Sequence, residues 1–152
     1  VALIQIKRVV SLLINAICIS ISFDRGIYRV SRQVMDMTDR IEKTKPWGSH
    51  TVLAEGSGYK IKCLEIRPQQ KLSLQLHDHR SEHWIVLEGR ARITCGEHID
   101  DYGPNAHVYI PKGTRHRVEN VTEELVRIIE VQRGSNLSED DIVRLKDVYG
   151  RA

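Results

Sequence analysis

The sequence predicts an all-β domain, and a jelly-roll barrel is the natural architecture for it. Short apolar runs recur after residue 50 at intervals of about 8–12 residues. Turn-forming Gly, Pro and Asn residues separate these runs. The segment 59–66 also alternates apolar and polar residues, as a strand with one buried face should. Closely spaced short strands of this kind are typical of β-sandwiches and barrels.

The predicted strands follow one another through the middle of the chain. The first clear strand is Tyr59–Ile66. The later apolar runs are Trp84–Leu87, Ala91–Thr94, His107–Ile110, His116–Val118 and Leu125–Val131. Turns are expected between them at Gly89, Gly96, Gly103–Asn105 and Pro111–Gly113.

A short helix is predicted at the C-terminus. Ser138 and Asp141 have the spacing of a capping box. The apolar residues that follow, Ile142, Leu145 and Val148, recur at helical spacing. The acidic residues of the first turn suit the positive end of the helix dipole. We interpret them as a solvated helix start rather than a metal site, and expect the helix to pack on the outside of the barrel.

The domain proper is predicted to cover residues 45–152, and residues 1–44 form an N-terminal extension. Two basic residues precede a 15-residue, mostly apolar run from Val9 to Phe23. This pattern is typical of an export signal, and the run is shorter than the about 20 residues of a membrane helix. We favour a cytosolic domain that begins at Met35 or Met37. An export signal or membrane anchor is the alternative, and the run could instead add an edge strand or a swapped arm.

Charge and cysteine content exclude several classes of protein. Residues 1–45 hold eight Lys and Arg against four Asp and Glu, whereas the rest of the chain holds 15 against 16. The predicted domain is therefore nearly neutral and lacks the basic face of a nucleic-acid binder. The three cysteines form no C-x-x-C pair, which favours a reducing, cytoplasmic compartment. We expect a small-molecule partner, with neither nucleic acid nor membrane.

Four side chains could coordinate a divalent metal, namely Gln75, His77, Glu82 and His116. Residues i and i+2 of a strand point to the same face, so Gln75 and His77 should project side by side. We expect Glu82 on the following strand and His116 on a later strand of the same sheet. Imidazole and carboxylate ligands suit zinc, iron, manganese or nickel, and open coordination positions indicate a catalytic site.

The spacing of these residues resembles the two motifs of the cupin superfamily. Gln75 stands at the first His position of the first motif, which ends at Gly89. Gln69 replaces the opening Gly of that motif. The second motif is matched from Pro111 to Asn120. The resemblance implies a cupin jelly-roll barrel, whose mouth is a usual place for a ligand, and a homodimer, because many cupins dimerise.

Further segments stand in the order found in the C-terminal domain of the type II phosphomannose isomerases. They are KPWG at 45–48, LSLQ at 72–75, HRSEHW at 79–84, IEVQ at 129–132 and EDDIVR at 139–144. Those enzymes often carry a mannose-1-phosphate guanylyltransferase domain in front, for which this chain is too short. The resemblance implies a stand-alone isomerase that interconverts mannose 6-phosphate and fructose 6-phosphate, supplying mannose for GDP-mannose and polysaccharide synthesis.

The resemblance also implies the metal. A Gln in the first ligand position is similar to the Gln-His-Glu-His zinc set of these isomerases, so zinc is the expected cofactor. A zinc ion would act as a Lewis acid that holds negative charge on the sugar oxygens. The sugar phosphate needs a fixed cation, and Arg offers it bidentate geometry. Arg80 is our first choice for this contact, and Arg144 is the second.

The base that transfers the proton stays open at this stage. Candidates are His79, His83, Lys62 and Lys71, with Glu82 as a further possibility. A base must come within hydrogen-bond reach of the transferred proton, so geometry decides the choice. The histidines without motif support are interpreted as surface or packing residues; they are His50, His98 and His107. A second hypothesis is a non-catalytic sugar- or small-molecule-binding cupin module. A third is a metal-dependent enzyme that acts on another sugar or a keto acid.

Overall fold

The computed structural model describes residues 19–24, 27–32 and 42–151 of the chain. The chain divides into two compact units, Val1–Asp39 and Arg40–Ala152. The strand at 42–45 pairs with the strand that follows it, inside the second unit. The domain boundary at residue 45 stays a prediction.

The described part of the first unit is a β-hairpin. Strand β1 (Ile19–Asp24) pairs antiparallel with β2 (Ile27–Arg32). Of the apolar run Val9–Phe23, only the last five residues belong to the described part, and they lie in β1. Within the described residues, no helix is long and apolar enough to cross a membrane. The export-signal, anchor and swapped-arm interpretations of this run stay predictions.

The second unit consists of two antiparallel sheets. The strands of the larger sheet are β3 (Glu42–Lys45), β4 (Gly48–Gly56), β5 (Tyr59–Ile66), β7 (Arg80–Glu88), β10 (His107–Ile110) and β12 (Val126–Gly134). Those of the smaller sheet are β6 (Leu74–Leu76), β8 (Ala91–Cys95), β9 (His98–Tyr102), β11 (His116–Glu119) and β13 (Val143–Lys146). Their orders are β10-β7-β12-β5-β4-β3 and β13-β6-β11-β8-β9. The all-β jelly-roll prediction is confirmed.

Both sheets turn alternate residues toward a shared interior, and the strand pairing sorts these residues into two halves. On β12, Val126 and Ile128 are buried first, and Glu130 and Gln132 follow at the same period. The neighbouring strand β7 runs the other way and places Glu82 opposite Gln132.

We define the two halves by their buried members. The apolar half contains Leu64, Ile66, Val86, Ile93, Val118, Val126 and Ile128. The polar half contains Lys62, Gln75, His77, Arg80, Glu82, His116, Glu130 and Gln132. Trp84 lies between them: its ring contacts the His116 ring edge-on at 5.4 Å, and its indole nitrogen donates to Glu82 at 3.0 Å.

Two residues of the predicted motifs shape the turns that support this interior. Gln69 replaces the motif glycine, yet it adopts the left-handed backbone that favours glycine, with φ of 59°. Its side-chain amide donates to Glu123 at 2.8 Å, which offsets part of that cost. Asn120 is buried and donates to the carbonyls of Ile66 and Glu124, at 3.0 and 2.6 Å. Asn120 therefore has a structural role.

The predicted C-terminal helix is reduced to one 3₁₀ turn, Glu139–Asp141. Ser138 caps this turn as expected, since its hydroxyl accepts from the backbone N–H of Asp140 at 3.3 Å. The helix expected beyond it is wrong, because residues 143–146 form β13 and pair with β6. Of the apolar residues at helical spacing, Leu145 and Val148 are exposed, and only Ile142 is partly buried. Pairing with β6, which without β13 would be the edge of its sheet, outweighs that weak periodicity.

Candidate metal centre

Three of the four predicted metal ligands meet in the polar half of the interior. His77 follows β6, Glu82 lies on β7, and His116 begins β11. Each offers a nitrogen or oxygen atom within 4.8 Å of the others, and the three side chains are 2%, 1% and 1% exposed. Glu82 and His116 come from different sheets, so the expectation of one common sheet was wrong. The site lies where the two sheets face each other.

Backbone carbonyls fix the orientation of both imidazole rings. His77 Nδ1 lies 3.1 Å from the carbonyl oxygen of Asp141, and His116 Nδ1 lies 2.8 Å from that of Thr114. Because a carbonyl only accepts, each Nδ1 carries a proton, which leaves the Nε2 atom of each ring to face the cluster. His116 Nε2 is buried and has no hydrogen-bond partner among the described residues. Burial also lowers the pKa of His116, which keeps its ring neutral.

The Glu82 carboxylate completes the donor set. Its Oε1 accepts from Arg80 Nε at 3.2 Å and lies 3.1 Å from His77 Nε2. Burial alone would raise the pKa of Glu82, but the hydrogen bond with His77 and the nearby positive charges hold it well below its usual range. Two imidazoles that each leave Nε2 to face the cluster, together with one ionised carboxylate, fit a divalent cation.

Gln75 lies beside this cluster. It is buried, and it is directly opposite His116 in the pairing of β6 with β11. Residues paired in this way project to the same face of a sheet. The amide oxygen of Gln75 accepts from the Ser73 hydroxyl at 2.8 Å. Coordination by Gln75 as a fourth ligand stays a prediction.

Arg80 is also in the site, but most of its N–H groups are bonded to protein atoms. Besides Glu82, the guanidinium lies 3.4 Å from Asp141, 2.9 Å from the Ser138 carbonyl and 3.3 Å from His77 Nε2. The side chain is 2% exposed. A phosphate contact by Arg80 stays a prediction, and a bidentate one would require some of these bonds to be given up.

The C-terminal turn contributes a buried carboxylate that the sequence reading placed in solvent. Asp141 is 5% exposed and accepts from the backbone N–H of His79 at 3.2 Å. Its Oδ1 also lies 2.8 Å from His79 Nδ1. Interpreting all of residues 139–141 as a solvated helix start was therefore wrong. Asp141 instead holds His79 and Arg80 at the edge of the metal centre, and the His79 side chain remains 59% exposed.

His83 does not belong to the site. It follows Glu82 directly on β7 and therefore points to the opposite face of the sheet. The side chain is exposed, and its ring lies 4.6 Å from the ring of Tyr109. The prediction of His83 as a candidate base is wrong. Lys71 is also outside the buried cluster, where it pairs with Glu119 at 3.6 Å.

His50 was expected at the surface or in packing, and the structure shows it buried at the wall of a small cavity beside the cluster. Burial, and then the charge of Lys62, lower the pKa of His50 to about 4, so its ring is neutral near pH 7. His98 and His107 are exposed, in agreement with the sequence interpretation.

The cavity has a volume of about 50 Å³ and adjoins the metal centre, since Gln75 and Arg80 also line it. Lys62, a predicted site residue, is buried at its wall, and its ammonium lies 3.6 Å from Glu130. Burial, and then the charge of Glu82, raise the pKa of Glu130 to about 7. Glu130 was not predicted as a site residue, although its inward position in the alternation of β12 could have indicated it.

A glycine allows two strands of the polar half to approach each other closely. β12 ends at Gly134, which lies against the start of β7. A Cβ atom at Gly134 would collide with the carbonyl oxygen of His79 and with Arg80. The close approach therefore needs glycine at this position.

Comparison with known proteins places the chain in a family. The family model described as mannose-6-phosphate isomerase C-terminal matches residues 32–147. The chain therefore belongs to this family. It is 38% identical over 147 residues to the xanthan biosynthesis protein XanB of Xanthomonas campestris pv. campestris, an alignment that covers 97% of this chain and 28% of XanB.

Two other relatives align over a shorter stretch. The alginate biosynthesis protein AlgA of Pseudomonas aeruginosa is 46% identical over 110 residues, and the mannose-1-phosphate guanylyltransferase ManC of Salmonella typhimurium is 42% identical over 110 residues. Each alignment covers 72% of this chain and 23% of the relative. The chain thus spans about a quarter of the length of these relatives.

Solved structures support the cupin fold at low sequence identity. A variant of oxalate decarboxylase from Bacillus subtilis is similar with a TM-score of 0.65 and 20% identity, over 76% of this chain and 33% of that one. A double-stranded β-helix protein from Klebsiella pneumoniae gives 0.57 and 17%, over 64% and 84%. At such identities the likeness shows the fold alone. The barrel is a cupin domain.

Proposed function

We propose that this member of the family interconverts mannose 6-phosphate and fructose 6-phosphate with a divalent metal held by His77, Glu82 and His116. The observation that supports it most is the convergence of two imidazoles and one ionised carboxylate, with His116 Nε2 free of hydrogen-bond partners among the described residues. Membership of the isomerase family supplies the reaction class.

Aldose–ketose isomerisation moves one proton between adjacent carbons while negative charge develops on the sugar oxygens. A divalent metal, when bound, stabilises that charge as a Lewis acid. Glu82 and the carbonyl-oriented imidazoles would hold it. We propose zinc as the metal, because zinc accepts nitrogen and oxygen donors without redox chemistry. Gln75 is the proposed fourth ligand.

The remaining residues of the polar half would position the ligands and move the proton. Arg80 bonds to both His77 and Glu82, so we assign it to orienting these two ligands. Lys62 and His79 stay candidates for the proton-transfer base. Glu130 joins them, because it is a buried carboxylate at the wall of the adjoining cavity and is not a proposed metal ligand.

The relatives suggest a setting for this reaction. Their names refer to alginate and xanthan biosynthesis and to mannose-1-phosphate guanylyltransferase. We propose that the product supplies mannose for GDP-mannose and polysaccharide synthesis. A cytoplasmic location, a homodimer and an isomerase that works without an attached guanylyltransferase domain stay predictions.

Turnover with and without metal tests the proposal. The protein loaded with zinc should convert mannose 6-phosphate to fructose 6-phosphate, and a chelator should abolish this activity until zinc is returned. Mannose without phosphate serves as the control substrate. Saturable binding of the sugar phosphate to the metal-loaded protein without any conversion would refute the isomerase and favour the non-catalytic binding module.

A further inference from the structure

The cavity beside the metal centre has a cationic end formed by two lysines. Lys45 lies at the end of β3 and Lys62 on β5, and both line the cavity. Arg144, on β13, lines it as well. Its Nε is buried without a hydrogen-bond partner in the part of the chain that the structure describes. Buried cations that lack a full set of partners indicate a site for an anion.

One carboxylate from the C-terminal turn spans the two ammonium groups. Glu139 Oε2 lies 3.3 Å from Lys45 Nζ, and its Oε1 lies 4.0 Å from Lys62 Nζ. The Glu139 side chain is 50% exposed, whereas that of Lys62 is 11% exposed. Partial burial opposes ionisation of Glu139, but the charges of the two lysines lower its pKa below the usual value. An anionic group thus reaches from the rim of the cavity to both cations.

We propose that Lys45 and Lys62 bind the phosphate of the substrate, and that the Glu139 carboxylate pairs with their ammonium groups until the phosphate displaces it. The inference rests on the proposed function for the identity of the substrate. A carboxylate offers one oxygen to each lysine, and a phosphate can offer the same two oxygens with more negative charge. The same cavity reaches Gln75 and Arg80, so a sugar phosphate held at the lysines would extend toward the metal ligands.

Charge and volume both favour displacement of Glu139. The other carboxylate beside the lysines, Glu130, is buried and lies 3.6 Å from Lys62. Departure of Glu139 leaves Lys45 without its carboxylate partner, and a phosphate monoester carries about 1.5 to 2 negative charges near pH 7. The cavity of about 50 Å³ is well below the roughly 300 Å³ of a small-molecule pocket. The half-exposed Glu139 side chain can leave without exposing the core.

Inorganic phosphate is the direct probe. Its dissociation constant is measured by calorimetry on the metal-loaded full chain and compared with its inhibition constant and with KM for mannose 6-phosphate. Glu139→Gln should bind phosphate about threefold to fivefold more tightly, because the competing charge is removed. Lys45→Met should bind it about tenfold more weakly. KM should move in the same directions, and metal content should stay constant.

Matched controls come from the lysine–glutamate pair outside the cavity. Lys71→Met and Glu119→Gln should leave phosphate binding unchanged, since these residues pair with each other at 3.6 Å. Lys62→Met leaves Glu130 buried without its cation and could unfold the domain. The test therefore uses the Glu139 and Lys45 variants, whose side chains are less buried than Lys62, and does not need the Lys62 variant.

The outcomes separate this inference from the proposed function. Unchanged phosphate affinity in both Glu139→Gln and Lys45→Met overturns the phosphate site, even if the protein isomerises the sugar; phosphate would then bind at the metal or at Arg80. The expected shifts in a protein without isomerase activity would support the phosphate site and refute the isomerase.

Discussion

The two halves of the barrel interior are built from the same strands and yet serve different purposes. On β12, Val126 and Ile128 are buried among other apolar side chains, and two steps further along the same face Glu130 and Gln132 are buried among polar ones. The pairing of β12 with β5 is continuous through both halves. Along that pair, the two halves differ in side-chain chemistry rather than in backbone hydrogen bonding.

The polar half carries an energetic cost that the apolar half offsets. Buried carboxylates and cations lose hydration, which hydrogen bonds and ion pairs only partly replace. Glu82 is almost fully buried, and it contacts His77, Arg80, Trp84 and Gln132. A cluster of this kind is poor evidence of stability and good evidence of a functional site. We therefore expect substitutions in the polar half to change metal binding and activity, and those in the apolar half to change stability.

The largest effect is expected from His116→Ala. The substitution removes one of three converging metal donors and leaves the apolar half intact. Isomerase activity should fall about 10³-fold, and the zinc content of the purified protein should drop with it. The matched control is His83→Ala, on the outer face of β7, which should keep both. Full zinc content with normal turnover in His116→Ala would show that His116 is not a ligand.

Ile128→Ala should affect stability instead. Ile128 is fully buried in the apolar half, and its truncation leaves a cavity that costs about 2–5 kcal/mol of unfolding free energy. Chemical denaturation followed by circular dichroism measures this change. Ile99→Ala is the control, because Ile99 is 60% exposed and should change stability by less than about 0.5 kcal/mol. The folded fraction of Ile128→Ala should bind zinc as the unsubstituted chain does.

Glu130→Gln tests whether the polar half supplies the base. The amide keeps the shape of the side chain but cannot take up the proton, so kcat should fall about 10²-fold with metal content unchanged. Glu119→Gln, a carboxylate outside the cavity, should leave kcat as it is. If Glu130→Gln turns over normally, the base is another residue; His79 is then the next candidate, and Lys62 follows only if it does not bind the phosphate.

A smaller effect is expected from Arg80→Lys. Lysine keeps the charge but cannot make the several directed bonds of the guanidinium to Glu82, His77 and the Ser138 carbonyl. Zinc affinity, measured by competition with a chromophoric chelator, should fall about tenfold. Arg92→Lys is the control, because Arg92 forms an exposed pair with Asp101. A raised KM with unchanged zinc affinity would instead support a phosphate contact by Arg80.

Much of the site could be predicted because it depends on local rules. The period of two in strands places Gln75 and His77 on one face, and the structure buries both. The same rule puts His83 on the face opposite Glu82, so the sequence already held the reason to exclude it. Glu130 could likewise have been predicted from the sequence, because it stands at an inward position between apolar Ile128 and buried Gln132.

The C-terminal segment shows where sequence reasoning fails. Three apolar residues at helical spacing predicted a helix, and the structure has a single 3₁₀ turn followed by β13. The backbone of β6 offers an edge that a strand can pair with, and that partner is visible only in the fold. The turn also brings Asp141 to His79 and Glu139 to Lys62, contacts between residues more than 60 positions apart.

The sequence by itself determined most of the strands between residues 59 and 131, the cupin motifs and the types of side chain that could bind a metal, because alternation and turn chemistry act between near neighbours. Only the tertiary structure decided which inward side chains meet. It placed Glu82 and His116 on facing sheets, buried His50, and set Glu139 across Lys45 and Lys62. Such contacts depend on strand order and on which edge the last strand joins, which result from packing the whole chain around one core.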